Sequence, residues 1–298
     1  MSDALSILLA GASGTIGRAV ATALSSDGHR VTCLSRADFA DAATLAKAVA
    51  EARPETVISC IASRSGSPKD TQTVDYQANA NLLAAAQAAD ARHFILLSAI
   101  CVQKPRLAFQ HAKLAFEAEL QDSGIDWTIV RPTAFFKSLS GQIARVRDGK
   151  PFLLFGNGEL TRCKPISDAD LARFIADCVT RTGRRNCVLP IGGPGPAISP
   201  REQGAMMFEL AGREPRFRSI SPSLFKLASH LLSLGAPFFD WFAAKAEYAR
   251  IAHYYATESM LVLDPETGAY SEEATPEFGS DTLRDHYRRL IEKGVRDT

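Results

Sequence analysis

The sequence predicts an α/β fold: a doubly wound parallel sheet with a smaller, mainly helical C-terminal lobe. Three observations predict it. The chain opens on an apolar run, strands and helices alternate through its first half, and a glycine turn joins the first strand to the first helix. The run from Leu5 to Ala10 reads as a strand buried on both faces of a parallel sheet. Gly17 to Leu24 reads as a helix, Arg30 to Leu34 as a second strand, the Ala-rich Ala42 to Glu51 as a second helix, and Thr56 to Ile61 as a third strand. Val74 to Ala89 is a long helix, Phe94 to Ser98 a fourth strand, and Lys113 to Gln121 falls in another helix. Trp127 to Val130 is a fifth strand, ending at Arg131-Pro132. Such a series builds right-handed crossovers and a doubly wound sheet.

The second half is less regular. Pro190 to Pro200 is rich in Gly and Pro and reads as a loop or hinge. Beyond it, Pro222 to Met260 carries Phe225, Leu231, Leu232, Phe238, Phe239, Trp241 and Phe242, and reads as a mainly helical lobe packed over the end of the sheet, interrupted at Pro222 and Pro237. The expected division is a Rossmann domain over 1–195 and a substrate-covering lobe over 196–298, with contributions from 133–160.

Composition bounds the function. Of 298 residues, 46% are hydrophobic and 22% charged, which is globular, and a net charge of +1 without a basic block argues against nucleic acid as a partner. The six cysteines form no C-x-x-C pair, so no disulfide framework and no zinc or other metal site follows. Cys33 and Cys60 fall in strand-like runs and read as small buried hydrophobes. The chain enters its first strand almost at once and holds no run near the roughly 18 apolar residues of a membrane span. A reducing cytoplasm is the expected setting, with peripheral contact at a membrane surface through 222–242 as the alternative to internal packing.

The turn itself reads Gly11-Ala12-Ser13-Gly14-Thr15-Ile16-Gly17. A strand, then G-x-x-G-x-x-G, then a helix is a dinucleotide-binding context. Gly11 makes the tight turn, Gly14 lets backbone approach a pyrophosphate, and Gly17 permits close helix–strand packing. Free N–H groups at the helix start, including those of Ser13, Thr15 and Ile16 near it, then face the phosphates. The second strand ends Leu34-Ser35-Arg36 with no carboxylate before Asp38, so Arg36 favours a 2′-phosphate and hence NADPH. Ser98, closing the fourth strand, and Pro132, closing the fifth, complete the candidate cofactor contacts.

The glycine spacing resembles the extended and atypical short-chain dehydrogenase/reductase group. That group carries Y-x-x-x-K on one helical face, the phenol as acid at a carbonyl and the lysine at the nicotinamide ribose. Here the segment reads Phe109-Gln110-His111-Ala112-Lys113. Lys113 is retained as the candidate catalytic and cofactor-anchoring residue, or else forms a surface pair with Glu117, while a phenyl ring stands where the acid would be. A carbonyl reduction needs that acid, whereas a conjugated C=C bond can delocalise the added electrons and take its proton elsewhere. His111 is a candidate proton donor or a solvent-facing residue.

Three further stretches carry a narrower resemblance. They are Ile100-Cys101-Val102-Gln103-Lys104-Pro105 with Phe109-Gln110 and Lys113-Leu114-Ala115-Phe116-Glu117; Arg131 through Gln142; and Gly149-Lys150-Pro151 through Gly158 with Cys163-Lys164-Pro165-Ile166-Ser167. Together they resemble the divinyl chlorophyllide a 8-vinyl-reductase family from the glycine turn to about residue 195, and more weakly beyond. The resemblance implies NADPH-dependent reduction of the C8 vinyl group of a divinyl (proto)chlorophyllide to ethyl, with the tetrapyrrole bringing its own magnesium. It points to Phe109, Phe135 and Phe136 as candidate substrate contacts, to Lys137 or Arg145 at the propionate, to His253 as a magnesium ligand, and to Tyr254 or Tyr255 as alternative donors. Two other readings stay open at this point. One is a cofactor-binding accessory subunit of the respiratory complex I kind, without turnover; the other is a double-bond reductase of the isoflavone-reductase kind.

Overall fold

The computed structural model describes residues 4–235 and 239–293, so Pro237 and Phe238 lie outside the described residues. The chain divides into two compact units. One is the chain up to Arg131 together with Leu171–Leu189; the other is Pro132–Asp170 with the chain from Pro190 onward. The second unit thus takes in more of the middle of the chain than the 133–160 expected of it.

The first unit is built on β1 (Ser6–Ala10), β2 (Arg30–Cys33), β3 (Thr56–Ser59), β4 (His93–Leu97) and β5 (Asp126–Pro132). Ile7 through Ala10, all of β3 and all of β4 are buried, because helices cover both faces of a parallel sheet. The strand order is β2-β1-β3-β4-β5, continued by β7 (Cys187–Ile191) beyond β5. β1 pairs in parallel with β2 on one side and β3 on the other, so the winding reverses between β1 and β3. The crevice at the carboxyl ends of those two strands is where such sheets bind ligands. The Rossmann-like α/β fold is therefore present, with two differences from the sequence reading. Cys187–Ile191, with Pro190 inside it, is a strand rather than the start of a loop, as suits the sheet's far edge. Cys33 is exposed, because β2 is the other edge.

Helices Thr15–Ser26, Ala42–Ala52, Ala108–Gln121 and Asp168–Thr180 flank the sheet, along with a segment that is helical in three stretches, Pro68–Thr71, Gln72–Ala78 and Asn79–Ala88. Phe116 closes the Ala108–Gln121 helix onto β4 through an edge-on contact with Phe94, ring centroids 5.9 Å apart. Gln110, fully buried, anchors that helix: its Oε1 accepts the N–H groups of Arg106 and Leu107 at 2.7 and 3.0 Å, and its Nε2 donates to the Cys101 carbonyl at 2.9 Å. The conspicuous Ile100–Gln110 stretch is thus first a helix start held to a short turn.

His93 gives this unit a pH dependence. Its Nε2 lies 2.9 Å from the Thr128 hydroxyl, which itself donates to the Arg184 carbonyl at 2.8 Å. Nε2 therefore carries the ring proton, and Nδ1 is buried without a hydrogen-bond partner among the described residues. Burial, helped by the charge of Arg185, pushes the His93 pKa down to about 4 from 6.5. Between those values the unfolded chain binds a proton that the folded chain refuses, so stability present above pH 6.5 falls as pH drops through this window. At about 1.4 kcal/mol per pH unit, roughly 3 kcal/mol is at stake by pH 4.5. We expect His93→Leu to flatten this part of the profile in urea unfolding at pH 7.5 and 4.5. A slope equal to that of the wild type would contradict the assignment.

The second unit packs Phe136, Ile143, Val146, Phe208, Tyr287 and Leu290 into its own core. β6 (Phe152–Phe155) pairs in parallel with β8 (Phe217–Ile220), and β9 (Val262–Leu263) in antiparallel with β10 (Tyr270–Ser271). The aromatic stretch forms two helices, Ser223–Gly235 and Asp240–Thr257, that pack on each other. Leu224, Leu227, Leu231 and Leu234, spaced 3-4-3 on one face, are 58–69% exposed, as are Phe239, Trp241 and Tyr248 at 60–67%. Phe225, Leu232 and Phe242 are half-buried, with the Phe225 ring 5.2 Å from that of Phe155, so the stretch is packed internally only in part. No helix among the described residues is long and apolar enough to cross a membrane.

Candidate functional site

The glycine turn lies at the carboxyl end of β1. Gly11 has φ +84°, and a Cβ there would stand 2.7 Å from the backbone carbonyl atoms of Cys60, just past β3. Two backbones therefore meet at the switch point with no room for a side chain. Gly17 is more constrained still, since its Cβ would fall 2.1 Å from the Gly11 carbonyl oxygen. The helix start thus folds back against the turn itself rather than against a neighbouring strand. Gly14 caps the Thr15–Ser26 helix in extended backbone and donates its N–H to the Gly11 carbonyl at 3.0 Å. It brings no side chain to cap the first-turn donors, which is the arrangement that receives an anion.

From this turn a cavity of about 580 Å³ runs to the end of β2, walled by Gly11, Ser13, Ser35, Arg36, Phe39 and Arg64 among others. Asp38, the first carboxylate after β2, is turned away. It accepts the Ser35 N–H and hydroxyl at 2.6 and 2.8 Å, bonds that hold its pKa below the usual carboxylate value. Asp41, on the wall, instead caps the next helix through the Thr44 N–H at 2.7 Å. Both arginines are exposed along the cavity, and Arg64 was missed in the sequence. The signal for it is positional: it follows β3, at the carboxyl end where ligands sit. The residues fit a dinucleotide, with backbone alone at the tight end and two guanidinium groups on the wall. We expect Arg36→Glu to weaken NADPH at least about tenfold while NADH binding barely changes, since a guanidinium–phosphate pair becomes a like-charge one. Parallel fluorescence titrations would show it, and equal effects on both cofactors would refute it.

Lys113 shares the Ala108–Gln121 helix with Phe109, one turn earlier, and is buried. Its Nζ lies 3.1 Å from Asp75 Oδ1. Glu117 is not its partner: that carboxylate is buried against the Arg131 guanidinium in a two-pronged pair. Phe109 is half-buried and His111 exposed. Ser98 follows β4, and its buried hydroxyl oxygen has no hydrogen-bond partner among the described residues, as expected of a group that meets a ligand. Pro132 closes β5.

The second unit holds its own cavity of about 470 Å³. Phe135, Leu139, Tyr255 and Met260 give it apolar walls, and Arg162 and Gln203 polar ones. Arg162 is already engaged, donating to both Glu202 oxygens at 2.7 and 3.0 Å. Phe135 lines this space, whereas Phe136 is core, 3% exposed, with its ring 5.3 Å from that of His286. Tyr255 is exposed, Tyr254 buried and His253 half-buried. Lys137 is exposed, and the Arg145 guanidinium donates to the Pro151 carbonyl at 3.2 and 3.3 Å.

Comparison with known proteins narrows the reading. An NAD(P)H-binding family model matches residues 34–182. A chloroplastic divinyl chlorophyllide a 8-vinyl-reductase of Arabidopsis thaliana is 53% identical over 247 residues, 81% of this chain; the match spans only 59% of the relative's length. One from Oryza sativa subsp. indica is 45% identical over 320 residues, covering 97% of this chain and 79% of the relative. Among solved structures, the NADPH-dependent quinone oxidoreductase of Escherichia coli complexed with NADPH superposes with a TM-score of 0.67 at 18% identity, covering 96% of this chain and 99% of that one. At that identity the likeness is one of fold.

Proposed function

The chain belongs to the divinyl chlorophyllide a 8-vinyl-reductase family, and from that premise we propose that it reduces the C8 vinyl group of a divinyl chlorophyllide or protochlorophyllide to ethyl, with NADPH as reductant. The observation that carries the chemistry is Phe109, one helical turn before Lys113, where a carbonyl reductase would need an acid. NADPH, when bound, supplies the hydride, and one further proton completes the ethyl group. Gly11, Ser13, Gly14, Thr15, Ile16 and Gly17 would hold the pyrophosphate, and Arg36 with Arg64 the 2′-phosphate. Lys113, Ser98 and Pro132 would position the nicotinamide end. A vinyl group conjugated to a macrocycle needs no proton donor on oxygen, so an inert ring at 109 costs nothing there. Phe135 and the apolar walls of the second cavity suit a flat apolar pigment.

The test is optical. Pure protein, NADPH and a divinyl pigment are expected to give a blue shift of the Soret band as the vinyl conjugation is lost. Unchanged spectra with both chlorophyllide and protochlorophyllide, in protein that still binds NADPH, would sink the reading and favour a cofactor-holding role without turnover. Phe109→Tyr is expected not to raise the rate.

The same reading puts the pair of helices Ser223–Gly235 and Asp240–Thr257 at a lipid surface. The support is the exposed leucine stripe, the exposed Phe239, Trp241 and Tyr248, and two exposed cations beside them, Lys226 and Lys245, suited to anionic headgroups. The Lys245 ammonium lies 5.9 Å from the Trp241 ring centre. Two heptads of leucine are too short for a coiled coil by themselves. Flotation with anionic vesicles is expected for the wild type and lost in Leu227→Glu/Leu231→Glu. Equal flotation of the two proteins, or a dimer abolished by the same change, would overturn it.

A further inference from the structure

Asp75 is held in place by more of the fold than an ion-pair partner requires. The segment Pro68–Ala88 is α-helical at both ends, but Gln72–Ala78 winds as a π-helix, with Asp75 in its middle. Wide turns of this kind cost stability and recur at functional sites. This one is pinned by Asn79, which is buried. Its Nδ2 donates to the carbonyls of Asp75 and Val74 at 3.0 and 3.3 Å, and its Oδ1 accepts the Ser59 hydroxyl at 2.5 Å, at the end of β3. The effect is to bring a carboxylate that is 1% exposed against the Lys113 ammonium.

Only half of that carboxylate is used. Oδ1 takes Lys113 Nζ at 3.1 Å and the Ser63 N–H at 3.4 Å. Oδ2 is buried and has no hydrogen-bond partner among the described residues. A buried acceptor without a donor is penalised, so the site is complete only when something brings a donor to it. An ammonium and an open carboxylate oxygen side by side match a vicinal diol: one hydroxyl receives from the lysine while its neighbour donates to the aspartate. NADPH carries such a diol on its nicotinamide ribose, and its adenine ribose is phosphorylated at the 2′ position.

We propose that Asp75 Oδ2 accepts a hydrogen bond from a hydroxyl of the nicotinamide ribose, so that Asp75 and Lys113 grip that sugar as an acceptor–donor pair. This rests on the reading above that the chain binds NADPH with Lys113 at the nicotinamide end. Asp75 then contributes twice, by direct contact and by fixing the Lys113 side chain.

The test uses the full chain and compares NADP+ with adenosine 2′,5′-bisphosphate, which keeps the adenosine and its 2′-phosphate but lacks the nicotinamide ribose. By calorimetry, Asp75→Asn is expected to weaken NADP+ about tenfold to thirtyfold, as for loss of a bond to a charged acceptor, and to leave the bisphosphate within about twofold. Unchanged NADP+ affinity would overturn the proposal, and so would equal weakening of both ligands, which would make Asp75 only structural. If the variant fails to fold, the wild type still answers. It should bind an NADP+ analogue deoxygenated on the nicotinamide ribose at least about tenfold more weakly than NADP+, and equal binding would overturn the idea. No pigment enters these measurements, so failure of the vinyl-reductase reading would show separately, as an unchanged Soret band in protein that passes them.

Discussion

Gly17→Ala is expected to cost the chain most of its cofactor affinity and to lower the stability of the first unit. The added carbon would sit 2.1 Å from the Gly11 carbonyl oxygen, 2.7 Å from its carbonyl carbon and 2.9 Å from Ala12 Cα. All three obstacles are backbone, so no side chain can swing aside. Either the helix start moves out or the turn opens, and each change spoils the register between the first-turn N–H groups and a bound phosphate. Overpacking of this kind costs about 1–3 kcal/mol or more, against a total stability of only about 5–15 kcal/mol. The informative control is Gly14→Ala, whose Cβ would lie 3.3 Å from the same oxygen, close enough to need only a small adjustment. In thermal melts Gly14→Ala should stay near the wild type while Gly17→Ala drops by several degrees. In NADPH titrations Gly17→Ala should lose at least about a hundredfold. If Gly17→Ala bound NADPH normally, the turn would not be the phosphate cradle.

Sequence and structure part company wherever the deciding information is long-range. The buried strands and the glycine turn were legible because a run such as Ile7 to Ala10, and the close approach of Gly11 to Gly17, are local. Lys113 was legible as a position, but its partner was not. Helical spacing offers Glu117, and only the sheet brings in Asp75 from another segment. Arg64 was missed because no local pattern marks it; the reversal between β1 and β3 puts it beside the cavity. The leucines of Ser223–Gly235 show the limit of periodicity. A 3-4-3 spacing says that one face is apolar, and it says nothing about what covers that face. Phe135 and Phe136 are adjacent and equally apolar, yet one lines a cavity and the other fills a core.

The exchange of partners around Lys113 leads to the second large effect. Glu117→Gln is expected to destabilise the first unit by about 3–5 kcal/mol, the usual result of removing one member of a buried ion pair. The Glu117 side chain is 2% exposed and that of Arg131 20% exposed, so the guanidinium left behind cannot simply be rehydrated. The pair also joins the helix that carries Lys113 to the carboxyl end of β5, so its loss loosens the element that presents the lysine. A surface pair between Lys113 and Glu117 would predict something quite different, a few tenths of a kcal/mol. Urea unfolding separates the two arguments by an order of magnitude, and a change below about 0.5 kcal/mol would refute the buried-pair account. The double change Glu117→Met/Arg131→Met sharpens the point. Two apolar side chains of similar length remove both charges together, and such replacements are often neutral or stabilising. Recovery of stability in the double variant would show that the loss in Glu117→Gln comes from a stranded cation rather than from a missing contact. NADPH affinity would then recover with it, because Lys113 keeps its own carboxylate at Asp75 throughout.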